Sequence, residues 1–318
     1  MQEREKDIHI TTKDTNDEIV SVVVISYRSV KTIVETLESI YRQTYPNIEL
    51  IVSDDCSDDD TVFIAKQWVD KHKERFFRTQ IIESEYNTGT AGNMNRGIHG
   101  CQGLWVKTVA ADDILLPNCV SDYMEKVGED RTIKFYQSDE RFIDEKGKLM
   151  EYPYREMRRM KKMQKLSSAK RQYRYLLLDD IKLSPTLFFE KNAFCKIGGC
   201  DEKIRNLEDY PLKLRFLKYG YRMGYLEKET VQYRIHNSVS RNVGHIYNLA
   251  HIKQKRQVKR LYCNPFIPKY NLVYWLSELV EFTQIQIAVY IFKNKSTAWS
   301  KGCMRVMRAL KPKNWMYI

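Results

Sequence analysis

The sequence predicts an α/β protein: a mainly parallel central sheet flanked by helices, followed by a C-terminal helical extension. Three observations carry that prediction. Residues 19–26 (IVSVVVIS) form a β-branched run of the kind buried on both faces of a parallel sheet. Short apolar runs then alternate with segments of helical spacing up to residue 109, the order that right-handed β-α-β crossovers require. Apolar residues make up 43% of the chain and charged residues 30%, which excludes a wholly disordered polypeptide.

The elements follow in order. Residues 31–43 show helical spacing at Ile33, Leu37 and Ile40, with Pro46 just beyond. Residues 48–53 (IELIVS) predict a second strand that opens into the acidic loop 54–60. Residues 61–71 predict a helix with Val62, Ala65, Trp68 and Val69 inward; 79–83 predict a strand, 90–100 a helix and 105–109 a fourth strand. Beyond residue 130 the pattern loosens. Strands are expected at 133–138, 186–190 and 230–236, and a turn at 145–148. A helix is expected at 208–219, its inward face Leu212, Phe216 and Tyr219 and its end Gly220. Residues 155–174 hold nine basic residues and one acid, which suits a solvated face or loop, or a groove for a phosphate-bearing acceptor. From about residue 245 the chain reads as helices.

At 318 residues the chain exceeds the roughly 100–200 of one typical domain. The expected division is an N-terminal arm over 1–18, a large domain over 19–240 with halves 19–116 and 117–240, and a basic helical extension over 241–318. No apolar run reaches the ~18 residues of a membrane-spanning helix. The first residues lack the apolar centre of a secretory signal, and seven irregularly spaced cysteines suit free thiols in a reducing compartment. A cytoplasmic protein is expected. The net charge of +12 divides unevenly: residues 1–150 hold 19 basic and 28 acidic residues, and residues 151–318 hold 34 and 13. A uniformly basic nucleic-acid binder would not concentrate acid in one half, whereas a protein that holds a metal beside an anionic surface would.

Parallel sheets bind ligands beyond the carboxyl ends of their strands. Three such ends carry polar residues here: Ser26-Tyr27-Arg28, Asp54-Asp55-Cys56-Ser57-Asp58, and Ala111-Asp112-Asp113. The adjacent Asp112 and Asp113 suit a divalent cation, or else a turn before Pro117. Asp54 and Asp55 suit acceptance from a nucleobase or ribose, or an Asx turn capping the helix from Thr61. Residues 87–97, with Asn87, Gly89, Asn93 and Asn95, suit a phosphate loop at a helix N-terminus, or a plain loop. They match neither the P-loop nor the dinucleotide fingerprint. Glu208-Asp209 precedes Pro211 at a helix start, where Asp209 is either the cap or a general base. His236 ends a strand and is either structural or a ligand.

Together these segments, from about residue 20 to 240, resemble the inverting, GT-A-fold glycosyltransferases of family 2 that assemble bacterial polysaccharides. The opening Ser26-Tyr27, the Asp54-Asp55 loop with Ser57-Asp58, Asn87-x-Gly89, Asn95-x-Gly97, Asp112-Asp113, Gly198-Gly199-Cys200-Asp201-Glu202, Glu208-Asp209 and Tyr233-Arg234-x-His236 stand in that family's order. The resemblance implies that 19–116 is a nucleotide-binding half and 117–240 an acceptor half. It implies that Tyr27 and Asp55 contact the nucleobase of a nucleotide-sugar, most often a uridine, with Ser26 and Asp54 among the substrate-binding residues. Asp113, and His236 less directly, would hold Mn²⁺ or Mg²⁺ against the diphosphate. Asp112 would bind ribose or sugar hydroxyls, Glu208 would orient the sugar, and Asp209 would deprotonate the acceptor. Many members carry an arginine where Met94 stands, so diphosphate contacts pass to Asn93 or Asn95. The implied acceptor is a glycan or a polyprenyl-diphosphate-linked saccharide. The apolar stripe of the C-terminal helices and the basic tail suit packing on the domain, a second subunit as a homodimer, or peripheral contact with an anionic inner leaflet. A sugar-phosphate nucleotidylyltransferase would need a glycine-rich loop after the first strand, which Tyr27-Arg28-Ser29-Val30 lacks. A basic nucleic-acid-binding protein is the other alternative, and no reading motif supports it.

Overall fold

The computed structural model describes residues 18–151, 155–178, 184–235 and 244–312. His236 and most of the predicted N-terminal arm lie outside the described residues. The order is β1 (Val20–Ser26), α1 (Ile33–Tyr41), β2 (Ile48–Asp54), α2 (Thr61–His72), β3 (Arg78–Glu83), α3 (Gly89–His99), β4 (Trp105–Ala110), β5 (Ile114–Leu115), α4 (Cys119–Glu129), β6 (Phe135–Ile143) and β7 (Leu149–Met150). It continues with α5 (Arg155–Gln164), α6 (Ala169–Leu178), β8 (Phe188–Glu190), α7 (Lys191–Lys196), α8 (Asp209–Tyr219), β9 (Met223–Arg234), α9 (Leu249–Val258), α10 (Leu272–Gln286) and α11 (Ala298–Ala309).

The sheet runs β3-β2-β1-β4-β8-β6-β9-β5, with β7 on β6. Pairings β3-β2, β2-β1, β1-β4 and β6-β9 are parallel, while β8 is antiparallel to both β4 and β6. The expected mainly parallel sheet is therefore present, with one reversed strand at its centre.

Alternation along β1 explains why its run is apolar throughout. Val20, Val22 and Val24 pack with Ile33, Leu37 and Ile40 of α1 and Ala65 and Trp68 of α2. Val23 faces the other way, with Ala91, Met94 and Ile98 of α3 and Phe216 of α8. Burying each such side chain stabilises the fold by roughly 1.5–3 kcal/mol. Gly97 lets α3 lie directly on the strands, since a Cβ there would stand 2.5 Å from Val23 Cγ1.

Three expectations change. The basic segment from residue 155 forms two helices, not a loop, because Met160, Met163, Leu176 and Leu177 supply a buried face. Leu212 and Phe216 of α8 are inward as predicted, but Tyr219 is exposed and Lys213 takes a place on the buried face. The last strand begins earlier than expected, at Met223. The C-terminal helices pack on the domain through Cys263, Ile267 and Tyr274, which join the core beside α8. Tyr262 also donates to Asp201 at 2.5 Å. Gln284 of α10 donates to Met304 O of α11 at 3.0 Å, and Glu281 gathers Lys255, Lys259 and Lys311. Those lysines outweigh the burial of Glu281 and hold its carboxyl below the usual range.

Candidate functional site

Register brings three strand ends to one edge. Ser26 pairs with Asp54 across β1-β2, and Ile25 pairs with Ala110 across β1-β4. Asp55 N–H donates to Ser26 O, and Ala111 N–H to Ile25 O, each at 3.0 Å. Tyr27, Asp55 and the segment 111–113 thus leave the sheet side by side, and the Tyr27 ring is 42% exposed.

Asp54 accepts from the N–H and hydroxyl of Ser57, both at 2.7 Å, closing the acidic loop on itself as an Asx turn. The N-cap position of α2 falls to Asp60, which makes no side-chain cap, while Asp59 accepts from Thr61 N–H at 3.1 Å. Asp55 turns to α3. It accepts from Thr88 N–H at 2.9 Å, Thr88 Oγ1 at 2.6 Å, Gly89 N–H at 2.7 Å and Arg96 at 3.0 Å. Gly89 sits at φ +82°, where a side chain would strain the backbone and strike Arg205. Arg205 O takes Ala91 N–H at 3.0 Å, and the Arg205 guanidinium holds Asn87 O and Oδ1 at 2.8 Å. The N-terminus of α3, expected to receive a phosphate, is therefore filled by the chain's own Asp55 and Arg205.

These contacts give Asp55 a structural duty that does not depend on a ligand. Asp55→Ala should destabilise the protein by about 3–5 kcal/mol in urea unfolding, because it leaves a part-buried guanidinium and two N–H groups without their acceptor. A loss below about 1 kcal/mol would show that these bonds contribute little.

Asn93 and Asn95 point in different chemical directions. Asn95 Nδ2 donates to Cys200 O at 3.1 Å and Glu202 Oε1 at 2.8 Å, and its Oδ1 accepts from Cys200 N–H at 2.8 Å. It is a clamp between α3 and the 198–202 loop. Asn93 Nδ2 donates to Ser26 O at 3.0 Å, yet among the described residues Asn93 Oδ1 and Ser26 Oγ, both buried, have no hydrogen-bond partner. Each such atom costs roughly 1–3 kcal/mol when unmet.

The second group of carboxylates forms around β9. Asp113 is buried, and its Oδ1 accepts Arg234 N–H at 2.9 Å. Burial, then the charge of neighbouring Asp112, pushes the Asp113 carboxyl well above the usual range. Asp112 is half-buried, and its carbonyl accepts Arg234 Nε at 2.8 Å. Arg234 also pairs with Glu35 of α1 and reaches Glu145 O at 3.3 Å, so one buried guanidinium fixes the Asp112–Asp113 segment, α1 and the β6–β7 turn together. Tyr233 is the meeting point: burial and the charges of Asp113, Asp112, Glu140 and Asp209 all raise its phenol. The start of α8 is thereby within electrostatic reach of the end of β4.

Glu208 occupies the N-cap position of α8, without a side-chain cap, and Asp209 stands in the first turn, not at the N-cap position expected of it. Burial, then the charge of Asp209, pushes the Glu208 carboxyl up to about 8. Lys213, with its side chain 1% exposed, lies 3.7 Å from Asp209 Oδ2.

Sequence reasoning gave no role to Arg234, Lys213 or Arg205. A lysine between Leu212 and Leu214, four residues after Asp209, was the available signal for Lys213. Nothing local marks Arg205 as the partner of Asn87. Among the described residues no group of three or more His, Cys, Asp or Glu side chains is gathered as a metal site.

Residues 21–180 match the profile of Glycosyl transferase family 2. An uncharacterised glycosyltransferase of Methanocaldococcus jannaschii is 26% identical over 263 residues, covering 81% of this chain and 84% of that protein. One from Haemophilus influenzae is 27% identical over 200 residues, covering 63% of this chain and 62% of its own length. An Escherichia coli UDP-Glc:α-D-GlcNAc-diphosphoundecaprenol β-1,3-glucosyltransferase is 33% identical over 103 residues, covering 32% of this chain and 38% of its own. In structure, residues 1–349 of S. aureus TarS in complex with UDP-GlcNAc superpose with a TM-score of 0.59 at 19% identity, covering 89% of this chain and 77% of that one. That likeness is one of fold. With the profile spanning half the chain and the sheet order on which those strand ends converge, the protein belongs to glycosyl transferase family 2.

Proposed function

We propose that the protein is a metal-dependent inverting glycosyltransferase. It would move a sugar from a nucleotide-sugar, UDP-linked, to a hydroxyl of a cell-surface glycan or a polyprenyl-diphosphate-linked saccharide. One observation carries this reading: the register of β1 with β2 and β4, Ser26 on Asp54 and Ile25 on Ala110, brings Tyr27, Asp55 and Asp112–Asp113 out of the sheet side by side. The names of the E. coli glucosyltransferase and of the TarS complex, both with UDP-sugars, support the choice of donor.

The donor set fits a hard divalent cation. Asp113 with Asp112 beside it supplies oxygen ligands, and a buried carboxylate next to another is relieved by a positive charge. One or two carboxylates plus substrate phosphates are the usual Mg²⁺ arrangement. Such an ion, when bound, offsets charge on the diphosphate. Tyr27 and the Asp54–Asp55 loop face the nucleoside, and Ser26 Oγ and Asn93 Oδ1 lie beneath it as unmet acceptor capacity. Asp112 serves hydroxyls of the ribose or sugar, and Glu208 supports Asp209. The acceptor oxygen bonds to the anomeric carbon from the face opposite the nucleotide, while its proton passes to the Asp209 carboxylate. The bond from that carbon to the phosphate oxygen breaks, and the electron pair departs on the nucleoside diphosphate. One base suffices because inversion needs no covalent intermediate.

A thermal-shift series with UDP, GDP and their sugars, with and without Mn²⁺, tests the reading. Stabilisation follows ligand concentration over dissociation constant, about 2.7 kcal/mol at a hundredfold excess. UDP-sugars with Mn²⁺ should give the largest shift, and equal shifts without metal would refute metal-dependent donor binding.

Among the described residues no helix is long and apolar enough to cross a membrane. Peripheral contact with an anionic leaflet is supported by exposed Tyr290, Ile291 and Trp299 beside exposed Lys293, Lys295 and Lys301. Alanine at those three apolar positions should lower partitioning onto phosphatidylglycerol vesicles severalfold. Unchanged partitioning, or self-association that the same substitutions abolish, would favour the homodimer.

A further inference from the structure

The first turn of α8 carries Asp209 at its start, Pro211 two residues later and Lys213 one full turn on. Lys213 is flanked by buried Leu212 and Leu214, and Phe216 and Leu217 are buried on the next turn. Lysine is almost never fully buried unless paired, and an unpaired ammonium in such surroundings would neutralise instead. A leucine or methionine would suit this packing without that penalty. The ammonium has a specific neighbour: Nζ lies 3.7 Å from Asp209 Oδ2, whose side chain is only 18% exposed.

We propose that Lys213 is a positioning residue for the base, its buried ammonium keeping the Asp209 carboxylate ionised and fixed in orientation. The inference rests on Asp209 being the general base.

The surroundings make this charge matter. Glu208 lies beside the pair, and its carboxyl, pushed up to about 8, feels burial first, the negative charge of Asp209 second and Lys213 in opposition. Burial and the charge of Asp209 both favour a neutral Glu208, whereas Asp209 has the opposite charge of Lys213 beside it. From β9, Tyr233 feels Asp209, and from the 198–202 loop Cys200 feels both Glu208 and Asp209; burial raises both of these groups, so they are neutral there. Against Asp209, Lys213 supplies the opposing charge along α8. It also tempers basicity: a carboxylate held by a cation accepts a proton less readily, which keeps Asp209 unprotonated until the acceptor hydroxyl is in place.

The test is the pH dependence of kcat/KM in the full chain, with UDP-sugar donor and Mn²⁺. In Lys213→Met the acid limb should move up by about one unit or more, because the carboxylate loses its opposite charge. The KM for the UDP-sugar should stay within about twofold and kcat at pH 7 should fall about tenfold. Lys213→Arg should return the limb toward the parent position, and Lys213→Gln reads the same limb should the methionine variant fail to fold. A folded Lys213→Met or Lys213→Gln whose profile overlays the parent would overturn the inference, as would a loss uniform at all pH values that arginine does not restore. Asp209→Asn separates the two ideas. If that variant remains active, the base itself is misassigned. If it is inactive while Lys213→Met keeps the parent profile, only the role of Lys213 fails.

Discussion

Asp209→Asn is expected to lower kcat by about 10²–10⁴, the range one general base contributes. UDP affinity should stay close to that of the parent. The asparagine keeps the size of the side chain and removes only its capacity to take the acceptor's proton. Loss of the ion pair with Lys213 leaves an ammonium 1% exposed, so a modest fall in stability accompanies the loss of transfer. Single-turnover kinetics with preloaded donor would isolate the chemical step. A variant that turns over within threefold of the parent would remove Asp209 from the reaction.

The second large effect is expected at Asp113, and its direction differs between binding and stability. Asp113→Asn preserves the acceptor for Arg234 N–H, because the amide oxygen can occupy the same position. It also removes a buried carboxyl that burial and Asp112 disfavour in the ionised form. The ligand-free protein should therefore be as stable as the parent or slightly more so. The stabilisation by UDP and Mn²⁺ together should fall by most of its value, since a neutral amide is a poorer ligand for a hard cation than a carboxylate. Calorimetric titration of UDP in the presence of Mn²⁺ measures the loss. Retained metal-dependent affinity would move the ligand role to Asp112 or elsewhere.

Much of the architecture could be read from residue order. The valines of β1 alternate between two buried faces, so an unbroken β-branched run implied helices on both sides. Gly220 ended α8 where its spacing indicated, with φ at +110°. The segment from residue 155 is helical and not a loop, with the expected solvated basic face at Lys161, Lys162, Lys165, Lys170, Arg171 and Arg174, while a few methionines and leucines at helical spacing supply the buried face. Tyr219 and Lys213 exchanged their expected places. A 3.6-residue period accommodates 209, 212, 213 and 216 on one face as readily as 212, 216 and 219, and chemical type alone favoured the tyrosine.

The site divides along the same line. Its acidic motifs were visible because each sits where a strand or helix stops, and such ends are written in local pattern. What each carboxylate does was not. Asp55 fixes the start of α3, Asn95 ties that helix to a loop more than 100 residues away, and Arg234 locks Asp112 and Asp113 to α1. The chain order by itself determined the strand–helix alternation, the acidic strand ends and the family to which they belong. Only the tertiary structure decided which of those acids are engaged with their own chain, and by which donors. Hydrogen bonding and desolvation depend on distance in space, and sequence separation carries no record of it.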